Sequence, residues 1–126
     1  MRRNTDTNEE LNLAEEAALL KALADPTRLR LAVVLSVNGE TCVCTLAQGL
    51  NEPEYKISRH LGILRSAGLV EARRKGTWMY YKLAKPRNPL EKCLQECFRD
   101  SLAGHKSMAA ALVCLKEANC DKGEKP

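Results

Sequence analysis

No apolar stretch in the sequence approaches the roughly 20 residues that a membrane-spanning helix needs. The aliphatic run Leu31 to Leu35 is typical of its short hydrophobic segments. Nor does an apolar segment follow Met1-Arg2-Arg3, so no secretory signal is expected and the protein is predicted to be cytoplasmic. Internal repeats, low-complexity tracts and a linker that would split the chain are all missing, which leaves one domain with one modest core. Aromatic residues are few (one Phe, one Trp and three Tyr), and Trp78, Tyr80 and Tyr81 fall together, as expected of packing rather than base stacking. Neither Cys42 nor Cys120 sits in a Gly-rich or Arg-bearing anion loop, so a small thiol enzyme is disfavoured and none is expected.

What is present is an uneven charge distribution and six cysteines in 126 residues. Residues 54–87 carry nine Lys/Arg against Glu54 and Glu71, net +7, while the remainder of this +4 chain is net −3. A basic block on a mildly acidic body is the footprint of a polyanion-binding face, although charge alone also fits an ordinary solvated surface. In a reducing compartment the cysteines read as metal ligands, redox thiols or packed groups rather than as a disulfide framework.

The apolar positions Leu13, Ala17, Leu20 and Ala24 predict a first helix over 9–24 with one buried stripe. Asp25-Pro26 supplies an N-cap and a first-turn proline for a second helix running to Asn38-Gly39. Thr41 is placed to cap a short third helix, Cys42 to Leu50, and Asn51-Glu52-Pro53 to open a fourth that ends before Gly68. Residues 69–72 and 78–83 read as a β-hairpin with Arg73-Arg74-Lys75-Gly76 at its tip, and a long helix is expected from about Leu90 to Ala118. This order predicts a mainly α fold with a small β-hairpin: a winged helix-turn-helix with a long C-terminal dimerisation helix. The domain spans 9–118, between a flexible tail (1–8) and a polar tail (119–126).

On a helical wheel of the fourth helix, Ile57, Leu61 and Leu64 form the core stripe. Tyr55, Ser58, Arg59, Gly62 and Ser66 gather opposite: small, hydroxyl-bearing or cationic groups suited to base edges and phosphates. With Lys56, His60 and Arg65, and with Arg73, Arg74 and Lys75 in the wing, they form the expected surface for double-stranded operator DNA. His60, at the edge of the core stripe, reads as a packing or phosphate-contacting residue.

The segment Glu40-Thr41-Cys42-Val43-Cys44-Thr45-Leu46 resembles the Glu-Leu-Cys-Val-Cys-Asp-Leu metal box of the arsenite-responsive branch of the ArsR/SmtB family. Leu23-Ala24-Asp25-x-Thr27-Arg28-Leu29, Lys56-Ile57-Ser58-Arg59-His60-Leu61, the Leu-Arg-x-x-Gly-Leu pattern at 64–69 and Gly76-x-Trp78-x-x-Tyr81 resemble the same family. The resemblance implies a homodimeric repressor that leaves its operator when arsenite or antimonite binds Cys42 and Cys44. A third cysteine common in that box is replaced by Ala47. The N-terminal cysteines of the cadmium and lead branch are missing, and His105 alone falls where the zinc branch pairs histidines. Thiolates independently select soft ions over magnesium, calcium or manganese. On a regular helix the two side chains would point about 200° apart, so metal binding is expected to unwind the third helix.

Leu90, Leu94, Cys97, Ser101, His105, Met108, Leu112 and Leu115 recur every three or four residues, a seam expected to bury against a second subunit. Cys93 and Cys97, at i and i+4, fit either a shared metal or small buried hydrophobes. With Cys114, which falls off the seam, and Cys120 in the polar tail, they are the candidates for a third metal ligand, from the same or the partner subunit, unless hydroxide or an exogenous thiol completes the site. A thiol redox-sensing repressor, or a sensor of cadmium or lead, is the alternative on the same fold.

Overall fold

Side-chain caps start the first two helices. In the computed structural model, which describes residues 12–117, Asn12 Oδ1 accepts from the Glu15 N–H at 3.2 Å and opens α1 (Leu13–Leu23). Asp25 Oδ2 accepts from the N–H groups of Thr27 and Arg28 at 3.0 and 3.1 Å, and Pro26 opens α2 (Pro26–Asn38). Gly39, at φ +77°, ends α2 in a conformation that L side chains rarely adopt. Then come β1 (Thr41–Cys42), α3 (Val43–Leu50), α4 (Glu54–Ser66), β2 (Val70–Lys75), β3 (Trp78–Leu83), α5 (Pro89–Asp100), a 3-10 turn (Leu102–Gly104) and α6 (Lys106–Glu117).

The fold is mainly helical around a small antiparallel sheet of order β1-β3-β2. The wing is therefore larger than a hairpin: Thr41 pairs with Tyr81 and Cys42 with Tyr80, adding a two-residue third strand. Thr41 is a strand residue rather than a helix cap, and α3 begins one residue later than expected, with Cys42 at its N-cap. Asn51 closes α3 in the left-handed region (φ 57°) instead of opening α4, whose N-cap is Pro53. Arg73, Arg74 and Lys75 lie within β2, opposite Tyr80, Met79 and Trp78, so the basic cluster lines the wing strand and the turn falls beyond it.

Leu31, Val34, Leu35 and Leu46 meet the α4 stripe Ile57, Leu61 and Leu64 in the core, each at most 2% exposed. That expectation for α4 holds. The expected α1 stripe does not: Leu13 and Leu20 are 78% and 46% exposed, Ala17 and Ala24 are exposed, and Glu16, Leu19, Ala22 and Leu23 face inward. Alpha1 carries two apolar stripes, and helical spacing alone cannot say which one meets its own core. Glu16 helps settle it, because Asn88 Nδ2 donates to its Oε2 at 2.8 Å.

The long last helix is two helices. The chain breaks over Ser101 to His105, around Gly104, a poor helix former. The expected seam is consequently not one face: Met108 and Leu115 are buried in their own core, Leu94 is half-buried, and Cys97, Ser101 and His105 are exposed. Alpha6 packs on α3 so closely that a Cβ added at Gly49 would lie 2.8 Å from Leu115 Cδ1. The tails expected over 1–8 and 119–126 lie outside the described residues.

Candidate functional site

The backbone of Cys42 is extended (φ −71°, ψ 144°), because it is still paired with β3, while Cys44 is already in the first turn of α3. That change of conformation across one residue turns the two side chains toward each other, with Cys42 Sγ 3.3 Å from Cys44 Sγ. The expectation of thiols pointing apart on a regular helix is overturned: no unwinding is needed to bring them together. Both residues are buried, at 1% and 5% exposure. A cavity of about 480 Å³ lined by Cys44, Ala47, Gln48, Asn51, Glu52, Pro53 and Glu54 opens beside the second thiol. Cys44 is disulfide-bonded in this structure; with that bond reduced, two converging sulfurs with no imidazole or carboxylate interposed suit a soft thiophilic ion.

No group of three His, Cys, Asp or Glu is arranged to hold a metal among the described residues. Cys93 and Cys97 are exposed on α5 and Cys114 is exposed on α6 in the single chain. Cys120 lies outside the described residues.

On α4, Tyr55, Ser58, Arg59, Arg65 and Ser66 are exposed, Tyr55 by 72%. Gly62 is half-buried, and a Cβ built there meets nothing within 4 Å, so the helix surface is open at its middle. Lys56 is half-buried, its Nζ 3.0 Å from Glu52 Oε1. His60 departs from the outward set. It is buried, and its Nδ1 stands 3.2 Å from Arg28 Nη1, which makes that nitrogen the acceptor and leaves the ring neutral. Burial holds its pKa below the ordinary histidine value, against the opposing pull of Asp25. His60 thus takes the packing role: Arg28 also donates through Nε to the Ala22 carbonyl at 2.6 Å, tying α1, α2 and α4 together.

In the wing, Arg74 is exposed and Lys75 Nζ lies 5.7 Å from the centroid of the Tyr80 ring. Arg73 is bidentate to Glu40, Nε to Oε2 at 3.0 Å and Nη2 to Oε1 at 2.6 Å. The Arg73 hydrogen bond keeps the Glu40 carboxyl below its usual range. This pair went unread in the sequence, since 33 residues separate its members. It fastens β2 to the segment that leads directly into Cys42. The Cys42 segment and the wing are thus fastened to each other.

Residues 25–72 match the family described as bacterial regulatory protein, arsR family. The chain is 38% identical over 109 residues to the arsenical resistance operon repressor of Escherichia coli, covering 85% of this chain and 90% of that protein. It is 39% identical over 72 residues to the cadmium resistance transcriptional regulatory protein CadC homolog of Staphylococcus aureus, covering 57% of this chain and 60% of that one. Among solved structures, a homodimeric winged helix-turn-helix DNA-binding domain from Mycobacterium bovis superposes with a TM-score of 0.59 at 35% identity, covering 74% of this chain and 86% of that one. No helix among the described residues is long and apolar enough to cross a membrane.

Proposed function

Because the chain belongs to the arsR family of bacterial regulatory proteins, DNA-binding transcriptional regulators rather than enzymes, we propose that it is a repressor released from operator DNA by arsenite or antimonite. The observation that carries this reading is the 3.3 Å approach of Cys42 and Cys44 Sγ at the entrance to α3. In the reduced protein, Cys42 and Cys44 would each exchange an S–H for an S–metalloid bond, the thiol proton leaving with a displaced hydroxide of the metalloid as one water per bond formed. The operator is met by α4, through Tyr55, Lys56, Ser58, Arg59, Gly62 and Arg65, with Arg74 and Lys75 of the wing on the flanking backbone.

Release follows from the position of the pair. Cys42 is held by β3 and Cys44 by α3, so a metalloid fixing both sulfurs constrains the start of α3 relative to the wing. A ligand biases two states only by binding one of them better. Here the difference lies in how well the two sulfurs can reach bonding distance in the DNA-bound arrangement.

Trivalent arsenic takes three bonds, and Cys120 is proposed as the third sulfur. The described residues supply no third donor beside the pair. Leu115 rests on Gly49, so Cys120 starts five residues from a point on α3 that is itself five residues from Cys44. Five extended residues span up to about 17 Å, while five helical residues cover only about 7.5 Å. The reach suffices in either direction.

Fluorescence anisotropy on the protein's own promoter DNA, in reductant, tests the reading. Arsenite or antimonite is expected to release the wild type, with cadmium, zinc and peroxide as contrasting arms. Cys42→Ser and Cys44→Ser are expected to bind DNA normally and to resist release. Normal arsenite release of both variants would overturn the assignment.

A further inference from the structure

Between α2, the 3-10 turn and α6 lies a cavity of about 360 Å³ that neither the α3 site nor the DNA-reading surface uses. Leu29 and Val33, one helical turn apart on α2, form one wall, and Leu102 and Met108 form the other. Val33 and Met108 are buried, whereas Leu29 and Leu102 are half-buried toward the opening. The second wall is held by two backbone bonds: the His105 N–H donates to the Leu102 carbonyl at 3.0 Å, and the Met108 N–H to the His105 carbonyl at 2.8 Å. At the mouth stand half-buried Arg30 and exposed His105, and no carboxylate lines the cavity. Asp25, just before this stretch of α2, is taken up by the helix cap. Arg28, Arg73 and Arg87 are each engaged by an acceptor, but Arg30 makes no side-chain hydrogen bond or ion pair among the described residues.

We propose that this cavity binds a medium-chain fatty carboxylate, its hydrocarbon chain between α2 and α6 and its headgroup on Arg30. Ligand pockets of about 300–1,000 Å³ are lined mostly by apolar side chains, with a few polar groups that fix orientation. The aliphatic walls and single guanidinium here have that composition. Leu29, Val33, Leu102 and Met108 offer water no side-chain hydrogen bond, so a hydrocarbon fills the space better than solvent does. At about 30 Å³ for each water-sized group, the cavity takes about a dozen of them, the size of a ten-carbon acid. Met108 has an unbranched thioether that adjusts to an irregular chain. Charge sets the choice of headgroup. A guanidinium presents two parallel N–H donors to a carboxylate, a stronger contact than a neutral hydrogen bond. An alcohol of the same length lacks that contact, and an amine brings a like charge to Arg30.

The test is nuclear magnetic resonance of the full chain with carbon-13 methionine methyl groups, titrated with decanoate below its micellar concentration and separately with decanol, decylamine and acetate. Decanoate is expected to move the Met108 methyl signal saturably and to leave that of Met79, on β3, in place. Acetate should move neither. Decanol is expected to bind about tenfold more weakly than decanoate, and decylamine more weakly still. Arg30→Gln is expected to lower decanoate affinity about tenfold and to leave decanol unchanged. Leu29→Trp, which fills the cavity, is expected to remove both. Should Leu29→Trp not fold, as far-ultraviolet circular dichroism reports, Arg30→Gln carries the comparison alone. Absence of a saturable Met108 shift would overturn the site. So would equal binding of decanoate and decylamine, or decanoate affinity untouched by Arg30→Gln. A Met108 signal that follows protein concentration and resists decanoate would give the cavity to a second copy and overturn the proposal. None of these outcomes touches the α3 reading, which is scored by release from DNA.

Discussion

At the scale of single residues, burial and partners separate side chains that look alike in the sequence. Arg59 and Arg74 are exposed, whereas Arg73 is committed to Glu40. Arg59→Ala is expected to weaken operator binding by about 1–3 kcal/mol, the size of one good base contact. Arg74→Ala is expected to weaken specific and non-specific DNA alike and to flatten the salt dependence, as loss of a phosphate contact does. Anisotropy at several salt concentrations, on operator and on unrelated DNA, distinguishes the two. A second residue-level expectation concerns Glu16, whose Oε1 is buried with no hydrogen-bond partner among the described residues. Burial raises its pKa, aided by the Glu91 carboxylate and opposed by the Asn88 hydrogen bond. Glu91 is itself buried, but hydrogen bonds from the Arg87 side chain and backbone outweigh that and lower its pKa. The signs are opposite. Glu16 contributes most while protonated and loses that contribution as pH rises through its raised value. Glu91 contributes above the ordinary carboxyl range and loses it as pH falls through its lowered value. Glu16→Gln keeps the acceptor for Asn88 and supplies a permanent donor. It is expected to stabilise the protein at neutral pH by about 1 kcal/mol, the low end of the cost of an unpaired buried polar group. The gain should shrink as pH falls through the raised value of Glu16, where the carboxyl regains its proton, as denaturant unfolding across that range will check.

At the scale of elements, the contact of α6 with α3 matters most, because it places the last helix on the helix that begins at the thiol pair. Gly49 makes the contact possible: its missing Cβ is the space occupied by Leu115. Gly49→Leu is expected to destabilise the fold by about 1–3 kcal/mol through overpacking. Leu115→Ala is expected to restore part of that loss by removing the obstructing side chain. A double-mutant cycle in denaturant measures the coupling, and strict additivity of the two substitutions would show that the helices do not press on each other there. The wing is a second element-level finding. Its third strand is only Thr41–Cys42, yet it joins the sheet to the thiol pair through backbone pairing with β3.

At the scale of the whole molecule, the exposed stripe Leu13, Ala17, Leu20 and Ala24 is the apolar face of α1 that the chain's own core leaves uncovered. The outward face of α5 is charged, so the proposed homodimer is expected to use the α1 stripe. Leu20→Glu, at a position 46% exposed in the single chain, is expected to leave the monomer fold intact. It should shift sedimentation at micromolar concentration toward the monomer and weaken binding to a palindromic operator, whose two half-sites need two subunits. An unchanged dimer would move the interface elsewhere.

The sequence by itself determined what depends on near neighbours along the chain: the Asp25-Pro26 helix start, the Ile57-Leu61-Leu64 stripe, the outward Ser58 and Arg59, and the nearness of Cys42 to Cys44. Capping, helical periodicity and the Cys-x-Cys spacing are all written within a few residues. Tertiary structure decided what depends on partners far apart. Which stripe of α1 is buried was set by Asn88 and the core, 72 residues from Glu16 in one contact. Whether the thiols converge was set by Tyr80 of β3, which holds Cys42 extended. His60 was drawn inward by Arg28, Arg73 was engaged by Glu40, and the last helix was broken where its two halves pack on different neighbours, α5 on α2 and α6 on α3. Local pattern restricts each helix to a few possible faces, and only the packing of distant segments selects among them.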